Sequence, residues 1–183
     1  MNLLRHVRGS TRVAVFHHPA PPPLPQLTVR EVEWQEVSSL ARGYPGYIGT
    51  HYRGLLARRW ERGGRLHEFR ADGDVHFAWL VRRSTIAPTE TPGCVIEFLS
   101  PIGEIGHCWT PPECRGHGIY TAALRWLART AAGRGLEPWV YCLDDNAPSL
   151  RAIAHAGFEM RAMFCSTAIF AGGNRRRSIT LYP

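Results

Sequence analysis

The alternation of apolar and polar positions divides the chain into a leading stretch, a first group of helices, a run of strands, and then a strand-and-helix alternation. Residues 12–16, Arg-Val-Ala-Val-Phe, alternate briefly before five prolines within 19–25, which exclude helix and read as an extended linker. On that reading residues 1–26 are an N-terminal extension with a Pro-rich linker, and a single domain occupies 27–183. Residues 27–32 alternate with period two, as a half-buried strand does. The stretches 34–42 and 51–62 have helical spacing, the second placing Tyr52, Leu55, Leu56 and Trp60 on one face and ending at Gly63-Gly64.

Residues 65–71 and 75–83 flank Asp72-Gly73-Asp74, a hairpin signal because Asp-Gly tolerates the positive φ of a tight turn. A proline-containing loop over 85–93 follows, and 94–99 and 104–110 then read as two strands broken at Pro101 and Gly103. The spacing of Leu124, Leu127, Ala128 and Ala131 predicts a helix over 118–134. A short strand at 139–143, a helix at 149–156 capped by Gly157, and a strand pair at 160–170 and 175–181 about Gly172-Gly173-Asn174 complete an α+β (mixed α/β) chain.

Composition changes this picture little. A chain of 183 residues suits one well-buried core. No apolar run approaches the roughly 18 residues of a membrane span, and charge interrupts the N-terminus before a signal-like region develops, so a soluble, cytoplasmic protein without a membrane partner is expected. The five cysteines include no pair at the two-residue spacing of zinc or redox sites, so free thiols and no metal are expected. A nucleophilic Cys114, favoured by Arg115 and a nearby helix start, is the alternative. The net charge of +7 is carried by arginine alone, since the chain has no lysine. It favours anionic ligands, among them coenzyme A, nucleotide sugars and RNA, without choosing between them.

The candidate chemistry lies in 104–158. Thr110-Pro111-Pro112-Glu113-Cys114-Arg115-Gly116-His117-Gly118-Ile119-Tyr120 places glycines and an arginine where a strand hands over to a helix. The first helical turn has no preceding carbonyls, so its amides can wrap an anion with help from the helix dipole. A glycine-rich connection alone also fits a plain turn.

This turn resembles the acetyl-CoA signature of the GNAT superfamily, in which Gln or Arg precedes two residues, Gly, one residue, and Gly or Ala. Arg115 and Gly118 match, and Tyr120 departs from the last position. Asn146, Ser149 and Gly157-Phe158 follow in the family's order. The resemblance implies a GNAT-like mixed sheet, splayed between two parallel strands and flanked by helices on both faces. It also implies acetyl-CoA or another acyl-CoA as co-substrate, with Cys108, Trp109 and Thr110 on the pantetheine amides and Arg115, Gly116, His117, Gly118, Ile119 and Tyr120 around the pyrophosphate. Asn146 and Ser149 would touch the pantetheine arm or the phosphates. By the same resemblance Glu104, eleven residues before Arg115, stands where one branch of the family has its general base, and the Cys108 backbone amide would polarise the thioester. The tyrosine that many relatives use as proton donor is replaced by Ile153, so the acid is unassigned, with Tyr120 and Tyr141 as candidates.

Strand alternation puts Glu104, Gly106 and Cys108 on one face and His107 on the other, in the core or behind the site. His117 reads as a loop histidine inside the pyrophosphate turn. The expected activity is N-acyl transfer, acetyl by default, to a primary amine of a small polar acceptor such as an amino sugar or nucleotide-linked amine. Residues 44–62 and 162–179 would line its cleft, with Tyr44, Tyr47, Tyr52 and Trp60 contributing. Acetylation of a protein N-terminus or an aminoacyl-tRNA, the latter suggested by Arg175-Arg176-Arg177, and a degenerate coenzyme-binding module are the other readings. A homodimer is compatible with all of them.

Overall fold

A computed structural model describes residues 10–20, 26–43, 50–168 and 175–181. Its strands are β1 (Ser10–His17), β2 (Thr28–Val32), β3 (Arg65–Ala71), β4 (Asp74–Ile86), β5 (Ile96–Trp109), β6 (Glu137–Leu143), β7 (Glu159–Ala168) and β8 (Arg175–Leu181). The helices are α1 (Trp34–Gly43), α2 (Thr50–Glu61), α3 (Ile119–Gly133) and α4 (Ala147–His155), with a 3-10 turn at Pro112–Cys114. The strands form one mixed sheet in the order β2-β3-β4-β5-β6-β1-β7-β8. Among the described residues the single parallel pair is β5 with β6, joined through α3, as a parallel pair requires a long crossover.

The hydrophobic pattern accounts for both faces of the sheet. Residues of one parity, such as Ala78 and Leu80 on β4 and Ile105 on β5, meet Leu124, Leu127 and Ala128 of α3 and Ile153 of α4. Phe77, Trp79 and Val81 point the other way, onto Val37 and Leu56 of α1 and α2. Strand β4 is therefore buried on both sides, which is why its run of apolar residues outlasts a simple alternation. Gly103 lets α3 approach the sheet, because a β-carbon there would stand 2.8 Å from the Ala131 Cβ.

Two expectations are corrected. The domain does not begin at Leu27: β1 pairs antiparallel with β6 on one side and β7 on the other, and it buries Val13, Ala14, Val15 and Phe16. A five-residue alternation next to a proline run resembles a linker, yet four buried side chains, at about 1.5–3 kcal/mol for each large one, make this strand a structural member. Pro101 and Gly103 likewise do not break the chain into two strands. Strand β5 runs through both, and its mismatch with β4 is taken up by register shifts at Arg83/Thr85 and at Phe77/Trp79. The turn at 172–174 lies outside the described residues. Among the described residues no helix is long and apolar enough to cross a membrane.

Candidate active site

The site arises where two strands part. Pairing between β5 and β6 runs from Ile102 with Glu137 to Ile105 with Val140 and ends there, although β5 continues to Trp109 and β6 to Leu143. A bulge drives β5 away. Trp79 pairs with Gly106 but Phe77 with Trp109, so β5 carries one extra residue, and His107 takes a left-handed φ of 48°. The bulge also resets the alternation, which corrects the expected arrangement of faces. Glu104 and Gly106 lie against Arg59 of α2, whereas Cys108 joins Ile105 in the core under α3. The His107 side, expected in the core or behind the site, instead borders the same cavity as Glu104.

Two cavities open from this wedge. The first, about 560 Å³, takes Cys108, Trp109 and Thr110 from the end of β5 and Arg115, Gly116 and Gly118 from the turn. Ile119 and Tyr120 of α3 and Asn146 and Ser149 at the start of α4 line it too, whereas His117, expected in the same group, does not and turns to Asp74 instead. Gly116 and Gly118 have φ of 86° and 87°, a conformation that L side chains adopt only under strain, and a β-carbon at either would meet nothing within 4 Å. Their need is thus for backbone shape rather than for space inside the protein.

The Arg115 amide is spoken for by Pro112 O at 3.3 Å, so the run of free donors starts one residue later than the sequence suggested. No backbone hydrogen bond among the described residues uses the N–H of Gly116, His117, Gly118, Ile119, Tyr120 or Thr121, and the first α3 bond is from Ala122 N to Gly118 O. Arg115 instead folds back, its Nε donating to Thr110 O at 3.0 Å. The His117 Nδ1 lies 2.9 Å from an Asp74 carboxylate oxygen and ties the turn to the β3–β4 hairpin.

Asn146 caps α4, its Oδ1 accepting from Ser149 N at 3.2 Å. Tyr120, half-buried where the two cavities meet, has its hydroxyl within hydrogen-bonding reach of the Cys108 thiol and the Ser149 side chain, and burial foremost raises its pKa well above the usual tyrosine range. Burial also pushes the Cys108 thiol up to about 12, so it stays protonated and is no nucleophile. Cys114 is buried with the α1 and α2 core. Ile153 is 0% exposed, and α4 therefore offers core packing at the position where the resemblance would place a proton donor.

The second cavity, about 480 Å³, shares Cys108, Tyr120, Asn146 and Ser149 with the first and extends toward α2. Glu104 lies here, 4% exposed. Arg59 Nη2 donates to its Oε1 at 2.7 Å, and Arg83 Nε stands 3.3 Å from Oε2, an ion-pair distance without hydrogen-bond alignment. Removing one member of such a buried pair generally costs about 3–5 kcal/mol, because the other is left uncompensated. His107 is lowered to about 3 by burial first and then by Arg59 and Arg83, so it adds no charge. Tyr141, raised to about 12 by burial and by Glu104, also lines this space.

Sequence reasoning missed Arg59 and Arg83. Arg59 is one of several arginines on a helix, and only its 4% exposure separates it from a solvated one. The expected aromatic lining is corrected in part: Trp60 packs on Trp34 at 5.8 Å and under the Arg65 guanidinium at 4.8 Å. Tyr44, Tyr47 and the Tyr52 side chain lie outside the described residues. Leu55, Arg59 and Arg62 represent the first helices in the cavity, and no described residue of 162–179 lines it. The 175–177 backbone lies in β8.

Known proteins share this architecture. A GNAT-family acetyltransferase from Colwellia psychrerythraea aligns with a TM-score of 0.58 at 18% identity, over 84% of this chain and 55% of that one. A GNAT-family protein from Novosphingobium aromaticivorans aligns with a TM-score of 0.57 at 19% identity, over 88% and 65%. This chain thus spans less than two thirds of either. A predicted acetyltransferase with acetyl-CoA from Clostridium acetobutylicum gives a TM-score of 0.50 at 16% identity, over 73% and 90%. No curated protein matches by sequence. The family model described as "Acetyltransferase (GNAT) family" matches residues 58–158, the span that holds Arg59, Glu104, the glycine turn and α4, and the chain belongs to that family.

Proposed function

We propose that the chain is an acyl-CoA-dependent N-acyltransferase that moves an acyl group, acetyl by default, from the thioester to the primary amine of a small polar acceptor. The observation that carries this reading is the meeting of two cavities at Cys108, Tyr120, Asn146 and Ser149, one edged by free amides and the other by a buried carboxylate. Direct transfer needs such an arrangement, with thioester and amine entering from opposite sides of one junction. The Clostridium structure with acetyl-CoA supports the coenzyme assignment.

The amine nitrogen attacks the thioester carbonyl carbon, the C–S bond breaks, and the amine loses a proton. In this reading the free amides after Arg115 hold the pyrophosphate and the exposed end of β5, at Cys108 to Thr110, holds the pantetheine, with the Cys108 amide on the carbonyl. Glu104 takes the amine proton through a water at Oε2, the oxygen that Arg83 approaches without alignment. Tyr120, kept protonated by burial, donates a hydrogen bond to the departing sulfur, which then takes a proton from solvent. A free thiol titrates near 8.5, so the thiolate is a tolerable leaving group with that assistance alone.

The test is thiol release from a panel of acyl-CoAs with and without amines, on wild type and Glu104→Gln. Amine-dependent release that falls in the variant while coenzyme A affinity holds is the expected result. Binding of coenzyme A without release for any acyl group or amine would favour the non-catalytic binding module.

A further inference from the structure

The second cavity has a charge that the transfer chemistry does not explain. Arg59 and Arg83 face a single carboxylate, Glu104, and the side chains of this trio are 5%, 21% and 5% exposed. Within that trio two positive charges meet one negative. Arg59 is buried beyond nine-tenths, yet its Nε and Nη1 find no acceptor among the described residues. Burying guanidinium donors unpaired is costly, and arginines beside a cavity are suited to planar, two-toothed recognition of carboxylate or phosphate. Two further charges edge the cavity, Arg62 and Glu90, both exposed and opposite in sign, so they leave the excess unchanged. The volume, about 480 Å³, is that of a small-molecule site.

We infer that the acceptor is a zwitterion, carrying its own carboxylate or phosphate a few bonds from the reacting amine, with the anion held by Arg59 and Arg83 and the ammonium drawn to Glu104. The inference rests on the acyltransferase reading for the amine but not for the anion. It explains why a candidate base is held by arginines. Both guanidiniums line the cavity beside the carboxylate they fix, so recognition and proton removal share one ion cluster. An uncharged amine leaves that cluster positive and unpaired, which builds selectivity against it into the site.

The anion is tested by titrating the protein, alone and saturated with coenzyme A so that the glycine turn is filled, with malonate and with inorganic phosphate at constant ionic strength. One anion per chain should bind with the coenzyme in place, and the same site should fill in the free protein beside any anion held by the glycine turn. Binding should weaken at least tenfold in Arg83→Gln, recover in part in Arg83→Lys, and stay unchanged in Arg129→Gln, which alters an exposed arginine on α3. The probe that binds more tightly distinguishes carboxylate from phosphate. Absence of binding by both, or binding that Arg83→Gln leaves intact, overturns the inference.

The zwitterion is tested by thiol release with L-alanine, L-alaninamide and 1-aminoethylphosphonate. At least one of the acids should exceed the amide tenfold or more in kcat/KM, and Arg83→Gln should erase that ratio mainly through KM. Equal release from acids and amide would sink the inference and leave the acyltransferase reading standing. Arg83-dependent anion binding without any thiol release would leave the anion site standing and sink both the acyltransferase reading and the zwitterionic acceptor.

Discussion

The two halves of the wedge are built from different materials. The half proposed for the coenzyme is made of main chain: two glycines with positive φ, a proline-initiated 3-10 turn, and a helix start whose first amides have no internal partner. The half proposed for the acceptor is made of side chains brought from distant places, Arg59 on α2, Arg83 on β4 and Glu104 on β5. A backbone site is written locally, in consecutive residues. A side-chain site exists only after the sheet has formed, and it can differ between relatives without disturbing the coenzyme turn.

This contrast orders the expected effects of mutation. Glu104→Gln should lower amine-dependent thiol release by about 10²-fold or more with coenzyme A affinity unchanged, as expected for loss of a general base. Parallel loss of affinity and rate would mean that the carboxylate only anchors Arg59. Gly118→Val should act on the other half. Forcing a β-branched residue to a φ near 87° costs about 1–3 kcal/mol, or roughly 5–150-fold in coenzyme A affinity, measured by calorimetry. An unchanged dissociation constant would show that the turn's conformation does not matter.

Tyr120→Phe probes the junction and should lower kcat about tenfold while leaving both KM values alone, the size expected for one hydrogen bond to a charged sulfur. If it alters only the coenzyme KM, the hydroxyl positions the pantetheine instead. The weakest effect comes from the sheet that carries both halves. His67 and His76 are buried, and burial lowers their pKa to about 4 and about 3. Below the unfolded value near 6.5 the unfolded chain binds protons that the folded chain refuses, so stability must fall as pH falls. The loss should be about 1 kcal/mol between pH 7 and pH 6 and should continue toward pH 3–4, read from urea midpoints. A flat profile would show that these histidines are protonated in the native state.

What the sequence disclosed follows the same division. The hairpin about Asp72-Gly73, helix α3 and the turn from Arg115 to Tyr120 were legible because hydrophobic period and glycine placement are local signals. Strand β1 was hidden because its alternation is short and abuts the prolines, and its place between β6 and β7 is a tertiary fact. The bulge at His107 was hidden because one inserted residue leaves no mark on the hydrophobic pattern, yet it decides which way Cys108 and Trp109 point. Glu104, which the structure places at the second cavity, was singled out by the family resemblance. Its guanidinium partners were not, since no spacing links residues 59, 83 and 104.

Amide proton–nitrogen NMR shifts during a titration with coenzyme A test the account most directly. The largest movements should fall on Gly116, His117 and Gly118, whose N–H groups have no partner within the described protein, with smaller ones on Cys108 to Thr110 at the wedge. Saturable binding that leaves those amides unmoved, or no binding at millimolar coenzyme, would contradict it.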